Sequence, residues 1–145
     1  MEKSPRPKGQ LFTSNPAGLK YLKVEAELWQ ITRAGIEIPN TILVKQLSPS
    51  KNLFLKFINN WKGHNPDSWW HKYEEVFLEE LENRETKQCL REVYKQLLKG
   101  KNIVLICFCD DHRFCHRRLV GEFFKPYGVQ AIELNPIRNE QLYLF

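Results

Sequence analysis

Residues 102–134 read NIVLICFCDDHRFCHRRLVGEFFKPYGVQAIEL, and the order of residue types in this stretch decides the fold. Ile103-Val104-Leu105-Ile106-Cys107 is an unbroken apolar run of the kind found in strands buried on both faces, and a strand is expected over Asn102–Phe108. Leu119, Val120, Phe123 and Phe124 then follow at helical spacing, predicting a helix over Cys115–Lys125 that stops at Pro126 and Gly128. Val129–Leu134 reads as another strand. Strand, helix and strand joined by short turns make a βαβ unit, with parallel strands and a right-handed crossover. The expected fold class is α/β, a three-layer sandwich with a mostly parallel central sheet and helices on both faces.

Working outward, residues 1–9 read as a flexible basic arm, 10–134 as a single α/β domain and 135–145 as a C-terminal tail. A strand at Leu11-Phe12-Thr13 ends in the turn residues Ser14-Asn15-Pro16, and a second fits Glu27–Thr32. Ile36 to Pro49 is expected to be mostly irregular. Ser50 suits the N-cap of a helix through Asn60 that buries Leu53, Phe54 and Phe57. Asp67 or Ser68 can cap the next helix, where Trp69, Tyr73, Phe77 and Leu81 recur every four residues. A further helix from Thr86 turns Leu90, Val93, Leu97 and Leu98 inward and stops at Gly100.

With 145 residues and 42% hydrophobic content the chain is the size of one compact domain with a real core. It has no run of about 18 apolar residues to span a bilayer, and its first residues lack the apolar centre of a secretory signal, so a cytoplasmic protein is expected. The formal charge of +5, with the acids gathered between Glu74 and Glu85, favours phosphate-bearing ligands, an ordinary soluble face with a slightly basic remainder being the alternative. Cys107, Cys109 and Cys115 are grouped too closely to staple distant parts of a fold and read as reduced thiols. The four tryptophans could stack bases, but Trp61, Trp69 and Trp70 at helix positions and Trp29 in a strand fit a core better.

The segment Cys107–Arg118, CFCDDHRFCHRR, lies on the strand-to-helix turn. Ligands of open parallel sheets bind beyond the carboxyl ends of the strands, where a helix start offers free N–H groups and partial positive charge. Three chemistries compete there. Cys107 and Arg113 have the Cys-x5-Arg spacing of a cysteine-dependent phosphatase loop, but the loop holds no glycine to turn its amides inward. Zinc could draw on Cys107, Cys109, His112, Cys115 and His116, although the donors fall in one short run without a second pair. Cys107 and Cys109 could also exchange thiol and disulfide. Anion binding, with or without a nucleophilic cysteine, uses the setting most fully.

The pattern Leu105-Ile106-Cys107, seven residues, then Cys115-His116-Arg117-Arg118-Leu119-Val120 resembles the signature of the YeaO-like family of domains of unknown function. Leu11-Phe12-Thr13-Ser14-Asn15, Ile31-Thr32-Arg33, Leu47-Ser48-Pro49-Ser50 and the Tyr73, Phe77, Leu81 series extend the resemblance across residues 10 to 134. It implies a compact α/β domain with a site built from Arg33, Cys107, Cys115, His116 and Arg117, and leaves Cys109, His112 and Arg113 as additions of this chain. It implies no particular reaction.

The leading expectation is a Cys-His-Arg site for a nucleotide or nucleic-acid phosphate. Arg33 and Arg117 would hold the anion, His116 would move protons or orient the ligand, and Cys107 or Cys115 would be the nucleophile. This reading involves no cofactor and no resident metal. One alternative lies in the tail: Gln141-Leu142-Tyr143-Leu144-Phe145 resembles the peptide by which bacterial replication and repair proteins dock on the sliding clamp, with Gln141, Leu142, Leu144 and Phe145 as contacts and no catalysis required. A structural zinc protein is the other.

Overall fold

A computed structural model describes residues 7–137. Among them five strands form one sheet in which every pairing is parallel: β1 (Leu11–Ser14), β2 (Glu27–Gln30), β3 (Ile42–Leu43), β4 (Ile103–Ile106) and β5 (Ile132–Glu133), in the spatial order β3-β2-β4-β1-β5. The α-helices are α1 (Lys51–Lys56), α2 (Trp70–Glu80), α3 (Arg84–Leu98) and α4 (His116–Phe123). The chain is thus an α/β sandwich around a parallel sheet, as the βαβ pattern requires.

β4 occupies the centre because all four of its side chains are apolar and can be buried on both faces; none is measurably exposed. It pairs in register with β1 from Leu11↔Ile103 to Ser14↔Ile106, and with β2 from Glu27↔Ile103 to Gln30↔Ile106. β5 pairs with β1 rather than β4, so the crossover through α4 passes over β1. That passage is close. A Cβ on Gly121 would lie 2.9 Å from the Ala131 Cβ and 3.3 Å from the Thr13 Cγ2, so only glycine lets α4 lie against β1 and the approach to β5.

The two outer layers are unequal. Leu11, Ile103, Leu105 and Cys107 share one large core with side chains of all four α-helices, among them Leu53, Phe77, Leu90, Leu97 and Leu119. On the opposite face Phe12, Val104 and Ile106 are covered by Leu19, Leu22, Ile38 and Leu134. Leu19 belongs to a 3-10 helix over Pro16–Tyr21, where a short turn was all that Ser14-Asn15-Pro16 announced.

Several boundaries differ from expectation for identifiable reasons. Buried Gln30 spends its amide on the following loop, donating to Thr32 Oγ1 (2.8 Å) and Ile36 O (2.9 Å) and accepting from Ile38 N (2.8 Å). This ends β2 before Thr32 and returns the chain as edge strand β3, inside the segment expected to be irregular. Ser50 caps α1 as expected, with Leu53 N donating to its hydroxyl, but the helix widens into a π turn over Phe57–Trp61. The wider turn brings Phe57 and Trp61 within 5.3 Å and 5.8 Å of the Trp69 ring, a packing that a regular helix period does not encode. α3 begins at Arg84 because Asn83 caps it, and Gly100 closes it with a φ of 92°. Trp29, Trp69 and Trp70 are buried, as a core role requires.

Candidate functional site

The site forms where β4 ends. Cys107 follows its last residue and is still tied to the sheet by a hydrogen bond from its N–H to Ser14 O (3.1 Å). The loop then returns to α4, whose first turn carries His116 and Arg117. Helical side chains slant toward the N-terminus, so both point back at the strand ends. The three thiols converge there: the sulfurs of Cys107, Cys109 and Cys115 all lie within 4.8 Å of one another.

Arg117 is fully buried beside them and is the hub of the cluster. Its Nη1 donates to Cys107 Sγ (3.3 Å) and Cys109 O (2.9 Å) and lies 3.8 Å from Cys115 Sγ. Its Nε and Nη2 donate to the two carboxylate oxygens of Glu133 at 2.9 and 3.0 Å. Glu133 is fixed in turn by Thr13 Oγ1 (2.7 Å) and Asn135 N (3.0 Å). Asn15 completes the support, donating to Cys109 O (3.3 Å) while accepting from Asn135 Nδ2 (2.9 Å). Arg117, expected to hold a ligand's anion, therefore has an internal carboxylate as its anion and presents its remaining charge to the thiols.

The three sulfurs do not ionise alike. Burial opposes charge on Cys107, but hydrogen bonds from Cys109 and Cys115, together with the charges of His116 and Arg117, hold its thiol well below the ordinary range. The bond to Cys107 is the main reason the Cys109 thiol is pushed up to about 12. Burial first, and then the neighbouring sulfurs, raise Cys115. Of the three, Cys107 is the thiol whose surroundings favour the charged form, and it also lies nearest the Arg117 guanidinium.

His116 Nε2 donates to Ile31 O at 2.6 Å, since a carbonyl can only accept. Its Nδ1 faces Cys115 Sγ at 4.0 Å, and its ring packs on Phe77. The imidazole is thus anchored to the end of β2 beside the thiols. Arg33 is partly exposed; its Nε donates to Pro49 O at 2.6 Å, and its two terminal nitrogens have no partner among the described residues. Arg113, the arginine of the phosphatase spacing, points away to Asp111 in an exposed ion pair, with Nε and Nη2 on the two carboxylate oxygens.

Cys107, Cys109, Cys115, His116 and Arg33 all line one cavity of about 130 Å³. Phe54, Phe57, Trp69, Tyr73, Phe108 and Phe114 give it aromatic walls; the sequence marks the first four as core residues and assigns no role to Phe108 or Phe114. Arg117 and Glu133 do not line it. Gln141, Leu142, Leu144 and Phe145 lie outside the described residues.

Comparison with protein families matches residues 12–128 to DUF488-N3a, described as the active DUF488-N3 subclade. The chain belongs to the DUF488-N3a family. A YeaO-like resemblance is consistent with this membership in a family of unknown function, and the matched span carries the sheet except β5 and the first residue of β1, together with the thiol cluster. Glu133 falls just beyond it. No curated protein and no solved structure matches the chain. No helix among the described residues is long and apolar enough to cross a membrane.

Two features of the DUF488-N3a site were missed in sequence. Glu133 was read as one polar residue of the last strand; its signal was a lone acid in the apolar context Ala131-Ile132-Glu133-Leu134, at the sheet end where the arginine sits. The aromatic walls come from three separate segments, and no local period marks them as neighbours.

Proposed function

We propose that this protein is a thiol-dependent enzyme acting on a nucleotide or on the end of a nucleic acid, with Cys107 as nucleophile and Arg33 as the group that meets the phosphate. The observation that carries the reading is the Cys107 sulfur held 3.3 Å from the Arg117 guanidinium in a cavity that Arg33 also lines. A cysteine is a useful nucleophile as its thiolate, and a fixed cation at hydrogen-bond distance favours that form. The aromatic walls suit a flat ring: a dry cavity of roughly 150 Å³ is known to take benzene, so about one ring fits here. Arg33, whose terminal nitrogens have no partner among the described residues, can then form charge-assisted bonds to a phosphate at the same cavity.

In this reading the Cys107 thiolate forms a bond to an electrophilic centre of the ligand, and the leaving group departs with its bonding electrons. Cys109 and Cys115 lend hydrogen bonds to the sulfur while it is charged, and the departing group takes its proton from solvent. Arg117 and Glu133 are positioning residues, because neither reaches the cavity. His116 orients the cluster from Ile31 O, a narrower role than free proton shuttling. The family's description as an active subclade agrees with catalysis.

Titration of the protein with nucleoside monophosphates by calorimetry tests this reading. Binding that is weakened at least tenfold in Arg33→Ala, and retained in Cys107→Ser with all turnover lost, is the expected result. Absence of binding, or binding indifferent to Arg33, contradicts it.

The convergence of three sulfurs favours one second reading, a thiolate-bound zinc ion, for which Cys107, Cys109 and Cys115 offer three donors. Elemental analysis of the purified protein decides between them: one zinc per chain supports the metal, and a folded zinc-free protein supports the nucleophile.

A further inference from the structure

A second concavity, sharing no lining residue with the thiol cavity, lies between α3 and the C-terminal end of α4. It encloses about 540 Å³, with Leu90 and Phe124 at its base, the acid Glu82 at the Lys87 end, and a set of cations and aromatic rings as the rest of its lining. Lys87, Arg91 and Lys95 recur every four residues along α3 and so stack on one helix face, about 6 Å apart along the axis. Beside them stand the rings of Tyr94, Phe123 and Tyr127. Tyr94 meets Tyr127 edge-on at 5.9 Å, and Phe123 lies 5.9 Å from Tyr127 on its other side. Tyr127 is 54% exposed, held out by the 3-10 turn Lys125–Tyr127 and the left-handed Gly128 that follows it.

Two of the three cations are uncommitted. Lys87 is paired with Glu82 at 2.7 Å, whereas Arg91 and Lys95 are exposed and have no ion pair among the described residues. The acids nearby are engaged elsewhere: Glu122 holds Arg118, and Glu92 accepts from Gln96. A core role explains neither an exposed tyrosine beside two further rings nor two adjacent cations that have no ion pair among the described residues.

We propose that this groove binds a single-stranded segment of nucleic acid. The α3 cations track its phosphates, and Tyr127, braced by Tyr94 and Phe123, offers a face on which a base stacks. Charge complementarity selects a polyanion, and the aromatic surface selects one with flat, unpaired rings; duplexes hide theirs and acidic peptides have none to spare. The inference stands apart from the chemistry at Cys107. If both hold, the groove brings a strand to a protein whose catalytic cavity takes a nucleotide.

The test is fluorescence anisotropy of a labelled oligothymidylate against the full-length protein over a series of salt concentrations. Arg91→Glu combined with Lys95→Glu is expected to weaken binding at least tenfold and flatten the salt dependence, and Tyr127→Ala to weaken it roughly tenfold with the salt dependence intact. All three positions are exposed, and an unchanged thermal midpoint verifies that the variants are folded. Mononucleotide binding at the thiol cavity is expected to be unchanged in them, which separates the two proposals. Oligonucleotide binding equal to the parent in the charge-reversal variant overturns the inference, as does equally tight binding of polyglutamate or of duplex DNA.

Discussion

Arg117, expected from the sequence to hold a ligand's anion, is paired with the internal carboxylate of Glu133. A guanidinium with no exposed surface is costly to bury, and here it is accommodated by two hydrogen bonds to Glu133 and by the sulfur and carbonyl acceptors of the loop. Breaking one partner of such a pair leaves an uncompensated buried charge. Glu133→Gln is therefore expected to cost about 3–5 kcal/mol in urea unfolding, far more than loss of an exposed pair such as Arg113–Asp111. Equal small effects for both would show that Arg117 does not depend on Glu133. The identity of the cluster was legible in the sequence because Cys115, His116 and Arg117 are adjacent. Its wiring was not, because Glu133, Asn15 and Asn135 reach it from segments up to 120 residues apart.

At the scale of elements, the strand-to-helix turn was readable because β4 is uniformly apolar and α4 has a clean helical period. What the sequence concealed were places where a tertiary contact overrides local pattern. The π turn after α1 exists to seat Phe57 and Trp61 against Trp69, and β3 exists because Gln30 organises the loop ahead of it. Gly121 sits on the apolar side of α4 with no local sign of its importance, yet it sets the distance between α4 and the sheet. Gly121→Val is expected to lower stability by about 1–3 kcal/mol through overpacking against Ala131 and Thr13, read as a drop in thermal midpoint. Because Arg117 lies one helical turn before it, the same variant should also loosen the thiol cluster. A midpoint unchanged from the parent would show that the helix can stand off at no cost.

For the molecule as a whole, the parallel sheet places everything chemically unusual at one end. The thiols, His116 and Arg33 gather beyond the carboxyl ends of β4 and β2, the position at which open α/β sheets bind ligands. The groove of α3 lies apart, at the far end of α4. The clamp-like peptide Gln141–Phe145 adds an independent expectation: if it docks a sliding clamp, removing residues 141–145 abolishes recovery of the protein on immobilised clamp while leaving nucleotide binding intact. Undiminished recovery after the truncation would discard that role.

The proposed chemistry requires one sulfur, Cys107, to ionise ahead of its neighbours. The surroundings lower the Cys107 thiol and raise those of Cys89, Cys109 and Cys115, so reaction of Cys107 with an alkylating agent is expected to survive acidification and to fade only as pH falls through its depressed value. Mass-spectrometric mapping of iodoacetamide labelling on the native, metal-free protein at about pH 6.5 measures this directly. Predominant labelling of Cys107, lost in Arg117→Met, is the predicted result; labelling that favours Cys89, with Cys107 unmodified, would contradict it.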